Sequence, residues 1–284
     1  MRYPYAKLHG AGNSYVFVDA RERSDEPPWP AVARAIADPA TGLGGDGLIV
    51  IGSHPMAACS MRIFNRDGGE AEFCGNGIRA LGKYLYDRGQ VGRSFVVATG
   101  LGKVPVEVVE TDRDGAAVLR VGVRPPRVRD TERPYLLTAA GARLPVVRVS
   151  VGNPHAVLIR QRMPTLAWLR RVGPAVSRHP AFPAGVNFHA AAVRSPERVR
   201  VWHYERGSGE TRACGSGAIA VFAAGRQLGL LRPRVEIETP GGRLVVEEGA
   251  PAGTEGPCGS EPMLYLTGPA REVSRGWVSA GRGR

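Results

Sequence analysis

Residues 64–77 read Phe64-Asn65-Arg66-Asp67-Gly68-Gly69-Glu70-Ala71-Glu72-Phe73-Cys74-Gly75-Asn76-Gly77. At an offset of 140 residues the chain reads Tyr204-Glu205-Arg206-Gly207-Ser208-Gly209-Glu210-Thr211-Arg212-Ala213-Cys214-Gly215-Ser216-Gly217. Arg66 falls on Arg206, Gly69 on Gly209, Glu70 on Glu210 and Cys74 on Cys214, and the glycines flanking each cysteine motif coincide as well. The same offset lays Gly12-Asn13 on Gly152-Asn153. It also lays Thr99, Gly102, Val106 and Glu107 on Thr239, Gly242, Val246 and Glu247. Matches in one ungapped register over this span mark two tandem halves of shared fold, joined near Arg124-Pro125-Pro126.

Working outward, both halves carry short β-type runs. In the first these are Val16–Val18, Leu48–Ile51, Phe95–Val97, Val104–Val109 and Val118–Val121; in the second, Ala156–Ile159, Arg198–Trp202 and Val235–Glu238. A helix is expected from about Asn76 to Asp87, stopping at Gly89. A second is expected from about Ser216 to Leu228, stopping at Gly229, since a glycine just past the end suits a left-handed cap. Another is expected over Ala31–Ala37. The Gly/Pro/Glu-rich stretch from Gly249 to Pro262 reads as a mobile surface loop, and the tail after Trp277 as frayed. Gly42-Leu43-Gly44-Gly45-Asp46-Gly47 fits Gly-x-Gly-x-x-Gly, but a dinucleotide fingerprint follows a strand and opens a helix, whereas the strand here comes afterwards. It reads as a turn.

The 284 residues leave room for one large or two modest domains. With 43% hydrophobic and 23% charged residues the composition is that of a soluble globular protein. The N-terminus lacks the apolar run of a signal peptide, and no apolar stretch could span a bilayer, so a cytoplasmic protein with no membrane partner is expected. The formal charge of +12 raises a nucleic-acid reading. It is disfavoured, because only Lys7, Lys83 and Lys103 are lysines, the arginines are scattered, and no aromatic-and-basic module appears. Four cysteines in a long chain without a secretion signal are expected to be reduced thiols, and no Cys/His cluster offers a zinc site.

Each repeated cysteine stands before Gly-x-Gly and a helix. Unpaired N–H groups and the positive end of the macrodipole lie there, lowering a thiol's pKa toward neutrality. The same N–H groups form a carboxylate site, which the glycines let a ligand approach. A thiolate opposite a thiol gives base and acid of matched pKa, which is what inverting an amino-acid α-carbon requires. Helix starts aimed at the α-carboxylate stabilise charge developing on it, so neither pyridoxal phosphate nor a metal is required. The alternative, that Cys74 and Cys214 are small buried hydrophobes, is outweighed by their repetition in register. Cys59 and Cys258 lack that context and are expected to be bystanders.

Further polar candidates surround the motifs. Asn13 and Asn153 are repeat partners, as are Asn65 and Glu205; Asn187 falls on Gly47. Asparagines suit a zwitterion because each both donates and accepts, and Arg206 can fork onto a carboxylate. For each asparagine a turn or cap role stands as the alternative. His155 is expected either to orient a catalytic group or to be structural. Arg66 is expected to be solvated, and the remaining histidines receive no functional role.

The segments His9–Asn13, Arg62–Asn65 through Cys74–Gly77, Gly152–His155 and Tyr204–Gly207 resemble the diaminopimelate epimerase family. Gly209–Thr211, Ala213–Gly217, Pro240–Leu244 and Leu264–Ala270 continue the likeness over almost the whole chain. The resemblance implies two similar α/β domains, each a mixed β-barrel wrapped around a central helix, with the active site in the cleft between them. It implies an N-terminal half at 1–122, with 268–284 returning to it, and a C-terminal half at 123–267. It further implies interconversion of LL- and meso-diaminopimelate in lysine and peptidoglycan-precursor synthesis, commonly by a homodimer. Carried over, Cys74 and Cys214 are the acid/base pair, and His155 and Glu205 assist. Asn13, Asn65, Asn153, Asn187, Glu205 and Arg206 line the substrate site, while the backbone at Gly75-Asn76 and Gly215-Ser216 holds the reacting end. The family's usual Asn-Asp-Phe is Asn13-Ser14-Tyr15 here, which implies a changed side chain near the distal end of the substrate. A related amino-acid racemase or proton-shift isomerase is the second reading. Retention of Asn65, Asn187 and Arg206 favours diaminopimelate, since a smaller substrate would leave them unpaired at roughly 1–3 kcal/mol each if buried.

Overall fold

The computed structural model describes residues 2–71, 74–112, 114–249 and 263–279. Cys258 and nearly all of the expected loop from Gly249 to Pro262 lie outside them, as do residues 280–284 of the expected frayed tail. Val278 and Ser279 are not frayed; they complete a strand. Within the described residues one compact unit takes 2–122 and 267–279, and the other takes 123–249 and 263–266.

The first unit runs β1 (Arg2–Gly10), β2 (Asn13–Asp19), α1 (Trp29–Ala37), β3 (Gly47–Gly52), β4 (Cys59–Asn65), β5 (Glu70–Ala71), α2 (Gly75–Asp87), β6 (Ser94–Thr99), β7 (Gly102–Thr111) and β8 (Ala116–Val123). The second runs β9 (Arg127–Val128), β10 (Tyr135–Ala139), β11 (Ala142–Ser150), β12 (Pro154–Arg160), α3 (Leu166–Ser177), β13 (Asn187–Ser195), β14 (Arg198–Glu205), β15 (Gly209–Thr211), α4 (Gly215–Gln227), β16 (Arg234–Thr239) and β17 (Gly242–Glu248). The final strand, β18 (Leu264–Ser279), begins among residues of the second unit and ends among those of the first. The offset of 140 seen in the sequence carries β1 onto β11, α2 onto α4 and β6 onto β16 with both ends matching.

Each unit mixes parallel and antiparallel pairing for one reason. β2/β3, β4/β6, β12/β13 and β14/β16 are parallel, and a parallel pair needs a long crossover, which α1, α2, α3 and α4 respectively provide. The other ladders are antiparallel hairpins. In the first unit β1, β2, β3, β4, β6, β7, β8 and β18 close a ring of eight, completed by β8–β18 and β18–β1. In the second the ladder β9–β11–β12–β13–β14–β16–β17 wraps α4, which packs against strands at both ends of it. Each half is thus a mixed β-barrel around a central helix.

Strand alternation explains the interior. Val104, Val106 and Val108 of β7 point inward while Lys103, Glu107 and Val109 face out. The two central helices need no polar face: α4 is Gly, Ala, Ile, Val and Phe over most of its length and is buried from Gly215 to Gly225. α1 and α3 are amphipathic instead. α1 lays Trp29, Val32 and Ile36 on a cluster with Val16, Leu48 and Phe64; α3 lays Leu169, Val172 and Val176 on Leu144, Val146 and Phe188. Each such buried side chain contributes roughly 1.5–3 kcal/mol. The expectation over Ala31–Ala37 caught α1 two residues short, while α3 was missed although the repeat implied it.

Gly47 shows how tightly β3 and β4 approach. A Cβ there would meet the Phe64 carbonyl oxygen at 2.1 Å, and backbone cannot yield. Gly47→Ala is expected to destabilise the fold by about 3 kcal/mol in chemical denaturation, as overpacking does. Gly92→Ala, with nothing within 4 Å of its new methyl, serves as the control.

Candidate active site

The two cysteines occupy the same structural position. Cys74 is the N-cap of α2 and Cys214 the N-cap of α4, both in extended backbone. Each sulfur accepts from the backbone N–H three residues on, Gly77 or Gly217, at 3.3 Å. A sulfur thus takes the place that Ser, Thr or Asp usually fills at a helix start. Gly217 is needed for space, since a Cβ there would meet the His189 ring at 2.5 Å; one on Gly77 would meet the movable tip of Ile49, Cδ1, at 2.8 Å.

Around Cys74, Asn13 Oδ1 and the Tyr15 hydroxyl each lie 3.5 Å from the sulfur. Asn13 is held from behind, donating through Nδ2 to Asp46 at 2.7 Å, and Asp46 also accepts from the Ser14 backbone N–H. Asn76 donates to Asn13 Oδ1 at 3.2 Å and accepts at 2.6 Å from Arg79, a guanidinium with no exposed surface. Burial pulls Arg79 down to about 10, with the charge of Cys74 acting in the opposite direction. The glycine-rich turn beside this cluster carries Gly44 and Gly45 at positive φ and opens no helix. Arg66 is not simply solvated, as expected above: its Nε and Nη2 both donate to the Gly45 carbonyl and pin that turn. Asn65 ends β4 opposite Gly47, its backbone closing a turn on Gly69.

The surroundings of Cys214 differ in charge. Its sulfur donates to Glu205 Oε2 at 3.0 Å, Thr211 donates to Glu205 Oε1 at 2.5 Å, and Ser216 Oγ lies 3.5 Å from the sulfur. Burial drives the Cys214 thiol well above its ordinary range. The Glu205 charge and the hydrogen bond to it push further up, and Ser216 and the Gly217 N–H oppose without prevailing. The expectation that a helix start lowers both thiols therefore fails at Cys214. Desolvation and a facing carboxylate outweigh a partial charge. Cys59, fully buried, is pushed up to about 12 and offers no reactive thiolate.

Asn153 and His155 stand together on the second unit, Asn153 Oδ1 facing His155 Nε2 at 2.7 Å. His155 Nδ1 meets His189 Nε2 at 2.8 Å, and His189 Nδ1 meets His203 Nδ1 at 2.8 Å. The acceptor at one end fixes the tautomers along this buried chain, each ring donating toward Asn153. His203 Nε2 is then a buried lone pair without a partner among the described residues. Burial holds His155 and His203 down to about 3 and His189 well below its ordinary range. Among the described residues His155 thus bonds Asn153 and His189 and no cysteine. Asn187 Oδ1 accepts from the Arg206 backbone N–H at 2.9 Å, and Arg206 Nη1 donates to the Ala184 carbonyl. The sequence reading missed Tyr15, Asp46, Arg79, Thr211, His189 and His203. Of these only Tyr15 carried a signal, as a departure from the family pattern, and it reaches the Cys74 sulfur.

Among the described residues no cluster of His, Cys, Asp and Glu could hold a metal ion, and no helix is long and apolar enough to cross a membrane. A family model described as diaminopimelate epimerase matches residues 5–122 and 147–272. A diaminopimelate epimerase of Desulfitobacterium hafniense is 36% identical over 282 residues, covering 95% of this chain and 96% of that one. One of Desulforudis audaxviator is 38% identical over 289 residues, covering 97% and 99%. Among solved structures, a PhzF-family phenazine biosynthesis protein of Bacillus anthracis superposes with a TM-score of 0.70 at 17% identity, over 98% of this chain and 99% of that one. A hydroxyproline epimerase of Agrobacterium vitis, solved with bound trans-4-hydroxy-L-proline, gives 0.70 at 14% identity, over 98% and 92%. At such identities the likeness carries the fold alone.

Proposed function

Because this chain belongs to the diaminopimelate epimerase family and is an isomerase, we propose that it interconverts LL- and meso-diaminopimelate by moving one α-proton between Cys74 and Cys214, without a cofactor. The observation that carries the mechanism is the unequal setting of two equivalent sulfurs. Both cap a helix through the same N–H, but Cys214 faces the Glu205 carboxylate while Cys74 has the buried Arg79 guanidinium one turn along its own helix. A base and an acid are needed at once, and this difference of charge distinguishes them: Cys74 starts as thiolate and Cys214 as thiol.

In the forward step the Cα–H bond breaks and a Cys74 S–H bond forms. The electron pair left on carbon takes the Cys214 proton on the opposite face. Glu205 then faces a new thiolate, a repulsion that favours return of a proton and resets the pair. The Gly75-Asn76 and Gly215-Ser216 backbones suit the α-carboxylate, whose negative charge grows in the transition state. Asn153, its oxygen occupied by His155, presents its amide N–H groups to substrate. Asn13, Asn65, Asn187 and Arg206 complete the substrate contacts in this reading. A cytoplasmic homodimer belongs to the same reading, with light scattering at twice the chain mass as its check.

The test is isotopic. Purified protein in heavy water, with no cofactor added, is expected to place deuterium at the α-carbon of diaminopimelate while LL and meso forms equilibrate. Exchange that needs pyridoxal phosphate sinks the mechanism. Exchange with proline or glutamate and none with diaminopimelate moves the chain to the related racemases.

A further inference from the structure

Among the described residues a hydroxyl lies beside Cys74 and another beside Cys214, and the two come from different places in the repeat. Tyr15 OH lies 3.5 Å from Cys74 Sγ, and Ser216 Oγ lies 3.5 Å from Cys214 Sγ. The offset of 140 maps Tyr15 onto His155 and Asn76 onto Ser216, so duplication by itself did not supply this likeness.

The other neighbours of Cys74 have fixed roles. Asn13 Oδ1 can only accept, because Asp46 takes the amide N–H on the far side at 2.7 Å; it favours S–H. The Gly77 N–H can only donate, and it favours the thiolate. Among the described residues, charged groups facing this cluster include Arg79 from α2, which reaches it through Asn76, and Asp46 from the turn before β3, which reaches it through Asn13. None of these alters its donor or acceptor role when the sulfur gains or loses a proton. A hydroxyl does, by rotating about its C–O bond. Asn13 and Tyr15 lie two apart on β2, so strand alternation turns both toward the same sulfur.

We propose that the Tyr15 hydroxyl is a working partner of the acid/base pair, accepting from the Cys74 thiol and donating to the Cys74 thiolate. The role rests on the epimerase reading above. During turnover Tyr15 keeps its own proton; the only bonds made and broken are Cα–H and S–H. A reversible epimerase needs Cys74 in both states, and the phenol lets one pocket serve both.

Tyr15→Phe removes the hydroxyl and keeps the ring, so the fold is expected to survive. The readout is alkylation of Cys74 by iodoacetamide across pH 6–10 in the full-length protein, located by peptide mass spectrometry with Cys214 as internal comparison. The midpoint for Cys74 is expected to rise by about one pH unit, slowing its alkylation about tenfold below that midpoint. The Cys214 profile is expected to stay in place, and kcat to fall with KM held. A Cys74 profile superimposable on wild type overturns the proposal. Deuterium exchange on the same samples separates the two readings. A shifted profile with no exchange in wild type upholds the Tyr15 contact and overturns the epimerase. Exchange in wild type with an unshifted profile overturns Tyr15 alone.

Discussion

Cys74→Ala and Cys214→Ala are each expected to lower net epimerisation of diaminopimelate by about a thousandfold or more, while Cys59→Ala stays near wild type. Inversion needs a proton taken from one face and delivered to the other, so removing either sulfur stops it. General acid/base catalysis is worth roughly 10²–10⁴ per group, and here the loss falls on a step with no substitute. Isotope exchange without inversion separates the two variants further. With Cys214 gone, Cys74 can still take the α-proton and return deuterium to the same face. With Cys74 gone, the remaining sulfur donates to Glu205 and is held as a thiol, so exchange is expected to fall much further. Cys59 is fully buried and pushed up to about 12, which gives it no part in this. Comparable losses in all three variants, or survival of inversion in either single variant, would remove the two-sulfur mechanism.

Acid is expected to unfold this protein early, beginning near pH 6 rather than pH 4. His155, His189 and His203 are fully buried, and His155 and His203 are held down to about 3 from an ordinary 6.5. Below pH 6.5 the unfolded chain therefore binds protons that the folded chain refuses, and stability falls as pH falls. At about 1.4 kcal/mol per pH unit, His155 and His203 each cost about 3 kcal/mol between pH 6.5 and pH 4, and His189 acts in the same direction. Asp19 and Glu70, lowered from ordinary values of 3.8 and 4.5, lose their contributions only at lower pH. The window from pH 6.5 to 5 thus belongs to the histidines. Denaturant melts at pH 8, 6.5, 5 and 4 measure the slope. Replacing His189 and His203 together with isoleucine, the residue at their repeat counterparts Ile49 and Ile63, is expected to flatten it by about two-thirds. Equal slopes in the double variant and wild type would place the acid sensitivity elsewhere.

The helices around the cysteines were legible because their signals are local. Gly89 and Gly229 adopt the left-handed backbone that ends α2 and α4, and the cysteine before Gly-x-Gly falls at each N-cap. By contrast no helix is expected from the sequence at α3, although the offset of 140 lays α1 on its later part; Thr165 caps its start. The departure at Ser14-Tyr15 was visible, but its location was not. The resemblance implies a changed side chain near the distal end of the substrate; Tyr15 meets the Cys74 sulfur because β2 runs past the start of α2.

The amino-acid sequence by itself determined the duplication and the fold of each half, because each is written in residues close together or in strict register. Tertiary structure alone decided that the Cys214 thiol is pushed up and that three histidines are held toward their neutral form. Those outcomes depend on what lies across a strand pair or behind a helix: Glu205 beside Cys214 despite nine residues of separation, and His189 opposite His203 in the β13/β14 register. Protonation follows burial and the nearest charge, and neither is fixed until distant segments pack together.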